Sequence, residues 1–146
     1  MPVEPGVIDA NILVYAVNVD APQYAASRAL LEAALDPTVK LYVTSQILCE
    51  FYSLITNPKR VPLAWSSPEA VQLIQELLDL PGLHVLAMPA QAVTMLMELL
   101  TRHPVTGGGV FDLQIIAVMQ ANSIHRIYTF NAGDFRVFPE LTVIIP

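Results

Sequence analysis

The stretch VFDLQIIAVM, residues 110–119, sets one carboxylate among some of the most apolar residues of the chain, and its reading decides the fold. As a helix it puts Asp112 on the face of Ile115, Ile116 and Met119, because side chains three and four residues apart share a helix face. That face should enter a core, so the charge needs a reason. Gly107, Gly108 and Gly109 precede the stretch, and the β-branched and aromatic run HRIYTF (125–130) follows it. Glycine turn, apolar helix, strand is the second half of a β-α-β unit.

Working outward, the same alternation recurs. GVID (6–9), KLYVTS (40–45), LHVLAM (83–88), HRIYTF (125–130) and LTVII (141–145) read as strands, with helical patterns between them. Asp20 and Pro22 stand as cap and first-turn proline before APQYAASRALLEAAL. Ser66 and Glu69 form an S-x-x-E capping box before Val71, Ile74, Leu77 and Leu78. Val93, Leu96, Met97 and Leu100 keep helical spacing until His103-Pro104 stops the run. Strands alternating with helices of this length predict an α/β fold, a three-layer α/β/α sandwich with a central, mainly parallel five-stranded sheet. Without repeats or linker-like segments, residues 1–146 are expected to form one domain.

Composition narrows the function. Of 146 residues, 54% are hydrophobic, so extensive burial is expected, including a subunit or partner interface. The net charge of −6, with only 7 Lys and Arg, argues against a grip on nucleic acid through bulk positive charge. It leaves room for a nucleic-acid enzyme whose acids hold metal ions, because the metals reverse the local sign. Charges or prolines interrupt each candidate membrane span, and MPVEPGVIDA lacks the basic and apolar regions of a signal peptide. A single cysteine, Cys49, suits a reducing cytoplasm and is expected to be a packed core thiol.

In a parallel α/β fold, function sits at the carboxyl edge of the strands. Four acids map there. Asp9 closes the first strand, with Asn11 expected to cap the helix that follows. Glu50 lies in the early turns of the helix after the second strand, on a polar stripe of Gln46, Glu50, Ser53 and Asn57. Asp112 falls in the first turn of a helix that runs back antiparallel to the strands. Asp134 sits in NAGDF (131–135), expected as a loop after the fourth strand. Singly, each acid has an ordinary explanation: a cap, a dipole partner, a solvated face or a loop residue. Jointly they form an anionic cluster whose ionisation requires cations. Oxygen donors without a histidine or cysteine set favour Mg²⁺ or Mn²⁺ over zinc, since His84, His103 and His125 are scattered. Such a pocket can activate water for in-line displacement at phosphorus.

The other motifs of the chain are weaker than these acids. TGGGVFD (106–112) lacks the G-K-[ST] ending of a phosphate loop, so its glycines read as a turn that lets Asp112 approach the metal. DAN (9–11) is similar to the first motif of haloacid-dehalogenase-like phosphatases but has Asn11 where they need a second aspartate. Lys59, Arg60, Arg102 and Arg136 read as solvated surface rather than as phosphate contacts.

VIDANILVYA, TSQILCEFYSLITNPKR, GGGVFDLQIIAVMQANSI and IYTFNAGDFRVFPELTVIIP together resemble PIN-domain ribonucleases of the VapC toxin type. The resemblance spans nearly the whole chain, with residues 61–106 matching mainly in helical pattern. It implies a PIN-like fold and a Mg²⁺/Mn²⁺-dependent endoribonuclease of the cytoplasm that cleaves single-stranded RNA. It also implies the toxin of a toxin–antitoxin pair, a homodimer, and inhibition by a small antitoxin protein. By motif, Asp9, Glu50 and Asp112 match the principal metal-binding acids, and Asp134 the acid of the last motif, with Thr129 and Asn131 as supporting polar residues. Relatives often carry Thr or Ser at the place of Ala10 and Asp at the place of Asn131. Two rival readings predict other behaviour: a catalytically silent protein-binding module would bind no metal, and a phosphatase would hydrolyse small phosphate monoesters.

Overall fold

The computed structural model describes residues 2–146. Five strands alternate with seven helices: β1 (Gly6–Ile8), α1 (Ala10–Ala16), α2 (Tyr24–Ala33), β2 (Leu41–Thr44), α3 (Ser45–Ile55), α4 (Ser67–Leu78), β3 (Leu83–Leu86), α5 (Ala90–Arg102), α6 (Gly109–Ala121), β4 (Arg126–Tyr128), α7 (Ala132–Phe135) and β5 (Thr142–Ile144). All strand pairs are parallel, in the order β3-β2-β1-β4-β5. The expected sheet is therefore present, wholly rather than mainly parallel.

The strand order explains where a site can form. From β1 the chain steps to β2 and β3 on one side, then crosses to β4 and β5 on the other. Right-handed crossovers put α1–α4 on one face and α5 with α6 on the opposite face, in keeping with the packing of α1 against α2 and α3, and of α5 against α6. The reversal leaves a crevice between the carboxyl ends of β1 and β4, where the flanking helices diverge.

The helix α6 contributes Leu113, Ile115, Ile116, Ala117, Val118 and Met119 to the core, so its body is apolar nearly all round. Only its first turn reaches the sheet edge, and Asp112 lies there, half-buried. The Ser66–Glu69 capping box forms as the sequence predicts, with Glu69 N donating to Ser66 Oγ (3.3 Å) and Ser66 N to Glu69 Oε1 (3.0 Å).

Several local expectations are corrected. Asp20 and Pro22 belong to a turn, and α2 starts later behind Gln23 without a side-chain cap, because Asn18 engages Asp20 N first (3.3 Å). The cap of α1 is Asp9 itself, not Asn11. The segment NAGDF forms the short helix α7 rather than a loop. Cys49 is exposed, since α3 turns Ile47, Phe51 and Ile55 into the core and leaves residue 49 outside. Val71, Leu78, Val93 and Met97 also remain on the surface despite their helical spacing.

Candidate active site

The centre of the crevice is Asp9, the residue where β1 ends and α1 begins. It is 6% exposed. Its backbone N–H still follows the sheet, donating to Tyr128 O (3.0 Å). Its carboxylate is bound on both oxygens: Ala10 N donates to Oδ1 (2.8 Å), while Thr129 Oγ1 (2.8 Å) and Asn11 Nδ2 (3.3 Å) donate to Oδ2. As a helix cap, Asp9 must have an extended backbone (φ −72°, ψ 156°), which aims its side chain along the crevice.

Thr129, fully buried at the end of β4, ties the two central strands together. Its hydroxyl donates to Asp9 and accepts from Asn11 Nδ2 (3.1 Å) and Asn131 N (3.0 Å), which uses its hydrogen-bonding capacity completely. Asn11 completes the latch by accepting from Phe130 N at Oδ1 (3.2 Å), and Tyr15 packs edge-on against Phe130 with centroids 5.3 Å apart. Asn11 is thus a cross-strand brace rather than a cap. Asn131 acts through its backbone N–H, and Ala10 through its own N–H rather than a hydroxyl.

Around Asp9 the carboxylates stand close enough for their charges to add to the effect of burial on Asp9, Glu50 and Asp112. Burial, followed by the charges of Asp9, Asp134 and Glu50, raises the Asp112 carboxyl from 3.8 to about 6. Partial burial and the charge of Asp9 raise Glu50, which is otherwise open to solvent at the rim. Burial also raises Asp9, opposed by its hydrogen bonds from Thr129, Ala10 and Asn11, while the charge of Asp134 adds to the rise. The charges that shift these three acids are all negative. The one ion pair among the described residues, Arg28–Glu32, lies on the surface of α2.

The donor set is therefore anionic, hard and uncompensated, which fits a divalent cation bound by oxygen. Among the described residues no three Asp, Glu, His or Cys side chains already stand in mutual chelating geometry, so the four acids line the crevice as a loose cluster. Two features of the site have no signature in the local sequence. Gln46, one turn before Glu50 on α3, has a buried Oε1 without a hydrogen-bond partner; its place on the polar stripe was visible, its lack of a partner was not. The bond from Asn11 to Phe130 N had no local signal, because the residues are 119 positions apart. Lys59, Arg60, Arg102 and Arg136 are all exposed, as expected of solvated groups.

Fold and site together define a class: a doubly covered parallel α/β protein with a loose cluster of acids at the reversal of its strand order. The chain belongs to the PIN-domain family, whose model matches residues 6–141. It is 41% identical over 69 residues to ribonuclease VapC24 of Mycobacterium tuberculosis; that match spans 47% of this chain and 46%, about half, of the relative. In fold it is similar to M. tuberculosis VapC20, described as a sarcin-ricin loop cleaving toxin (TM-score 0.71, 18% identity, 96% of this chain and 98% of that one). It is also similar to VapBC2 from Rickettsia felis, crystallised with a DNA fragment from its promoter (TM-score 0.65, 20% identity, 97% of this chain and 98% of that one).

Proposed function

We propose that this chain is an endoribonuclease dependent on Mg²⁺ or Mn²⁺ that cleaves single-stranded RNA, acting as a single domain and as the toxin of a type II toxin–antitoxin pair. The observation that carries the reading is the set of four acids from four separate segments, gathered at the strand-order reversal without a neutralising side chain, in a PIN-domain chain. The 41% identical stretch shared with a ribonuclease supports the reaction class. Fold neighbours described as toxin–antitoxin complexes support an antitoxin protein as partner. Homodimerisation and a cytoplasmic location belong to the same proposal. Among the described residues no helix is long and apolar enough to cross a membrane.

Asp9, Glu50, Asp112 and Asp134 would hold the metal. A bound divalent ion would supply an activated water and neutralise charge at the phosphate. The protein's part is positional. Asp9 is fixed by Thr129, Asn11 and Ala10, so its carboxylate needs little reorganisation. Glu50, open at the rim, orients the attacking water and can accept its proton. Asp112 and Asp134 complete the anionic wall, and Asn131 supports it through Thr129. In-line attack on phosphorus then breaks the bond to the leaving oxygen of the RNA strand.

The test is an RNase assay with Mg²⁺ or Mn²⁺ on wild type, Asp9→Asn and Asp112→Asn. The expected result is cleavage by wild type that EDTA abolishes, with each variant reduced at least about 100-fold, the scale of losing a principal electrostatic contributor. Cleavage that persists in both variants or in EDTA overturns the reading.

A further inference from the structure

The first turn of α6 carries a second exception to its apolar packing. Phe111 directly precedes Asp112, yet it is 54% exposed, and among the described residues it alone of the exposed large hydrophobics is aromatic. Every residue from 115 to 119 on the same helix is buried. Its backbone is held in place, Phe111 N donating to Gly108 O (3.1 Å). Beside it in the chain, Gly107 and Gly108 leave open space, with no atom beyond their chain neighbours within 4 Å of where a Cβ would stand. The ring thus stands exposed on a fixed backbone, in the helical turn that carries Asp112.

Charge says what that ring can meet. A chain with net charge −6 and 7 Lys and Arg gains little from displacing counterions along a phosphate backbone. The cluster of Asp9, Glu50, Asp112 and Asp134 further repels phosphates around the one that is attacked. Affinity for a single strand must then come from its bases, and stacking on an aromatic ring is the contact that every base can make.

We propose that Phe111 is a stacking platform for a nucleobase of single-stranded RNA beside the phosphate attacked at Asp112, and so a positioning residue of the site. The inference rests on the ribonuclease reading above. Stacking on this ring holds the strand in register with the acids, and because every base has a π-face it selects for an unpaired base rather than for one sequence.

The experiment compares wild type with Phe111→Ala, Phe111→Leu, Phe111→Tyr and Phe111→Trp on a fluorogenic single-stranded oligoribonucleotide. Alanine and leucine are expected to raise KM about tenfold, within the range for losing one stacked base. Their kcat should stay within about twofold, since the lost contact is made in ground and transition states alike. Tyrosine and tryptophan should restore KM. The oligoribonucleotide should also quench the fluorescence of Phe111→Trp beyond that of wild type, whose one tryptophan is Trp65. Leucine matching wild type overturns the proposal, because any apolar side chain would then suffice. An unchanged KM with a shift in sedimentation mass also overturns it and assigns the ring to a contact between two copies of the chain. A wild type that leaves RNA intact defeats the ribonuclease reading separately. The quenching titration then still decides whether position 111 meets a base, and absence of quenching overturns the proposal.

Discussion

Asp112 titrates at about 6 instead of 3.8 because burial and the charges of Asp9, Asp134 and Glu50 all oppose its ionisation. A carboxyl whose pKa is raised by folding binds its proton more tightly in the folded state, so its contribution to stability is complete below 3.8 and is lost as pH rises through about 6. Asp9 and Glu50 are raised as well and act in the same direction. In EDTA, Asp112→Asn should therefore melt above wild type at pH 7.5, while the two melting temperatures converge towards pH 4. Calorimetric scans across that range measure the difference, and equal melting at pH 7.5 would contradict the electrostatic account. Thr129 behaves oppositely. Thr129→Val keeps the volume but deprives Asp9 of a donor and leaves Asn11 Nδ2 and Asn131 N short of an acceptor. It should destabilise the protein by about 1–3 kcal/mol and weaken Mn²⁺ binding in calorimetric titration; undiminished stability would show that water replaces the hydroxyl. The positions of Asp9 and Asp112 at the sheet edge were legible because each lies at a junction with a local signature. The brace made by Asn11 was not, since Asn11 looks locally like a cap, and its partners Thr129 and Phe130 lie across the sheet.

At the scale of elements, helix starts were legible when the cap sat in the sequence next to the turn it closes. Ser66 and Glu69 satisfy each other across three residues, so no distant contact is needed to read them. Asp20 and Pro22 carry an equally good local pattern, but Asn18 draws the backbone into a turn and α2 begins at Tyr24. Residues 107–109 show the same competition. Gly107 has φ +58°, in the left-handed region where a side chain is strained, whereas Gly108 has an ordinary φ of −65°. Gly107→Ala should cost about 1 kcal/mol, a drop in melting temperature of roughly 2–4 °C for a chain of this size. Gly108→Ala meets no atom within 4 Å and should change stability little. Equal effects of the two substitutions would mean that the turn relaxes freely and does not fix the entry of α6. Three consecutive glycines look alike in sequence; the backbone angle singles out Gly107, and the approach of Val105 Cβ to within 3.0 Å of where a Cβ would stand singles out Gly109.

For the whole molecule, the alternation of strands and helices was enough to anticipate a parallel sheet with acids at its carboxyl edge, because both follow from periodicity and chain direction. The order β3-β2-β1-β4-β5 was not available from periodicity, since strands of three or four residues carry too little pattern to choose their neighbours. That order sets Asp9 and Thr129 side by side at the reversal point and turns an edge into a crevice. Net charge, in contrast, belongs to the whole chain and was fully legible, and it leads to a further expectation. A nucleic-acid enzyme that grips phosphates with many lysines and arginines loses affinity steeply with salt, by a log–log slope of about −0.7 for each single-strand phosphate neutralised. Here the net charge is −6, and an acidic crevice would itself repel a nucleic-acid strand. Monovalent salt screens that repulsion as well as any attraction. The KM for a single-stranded oligoribonucleotide, measured from 50 to 500 mM NaCl at saturating Mg²⁺ or Mn²⁺, should therefore change with a slope of magnitude below about 2, fewer than three phosphates' worth. A slope several times steeper would require a basic track along Lys59, Arg60, Arg102 or Arg136, and would move the weight of RNA binding from the bases to the backbone.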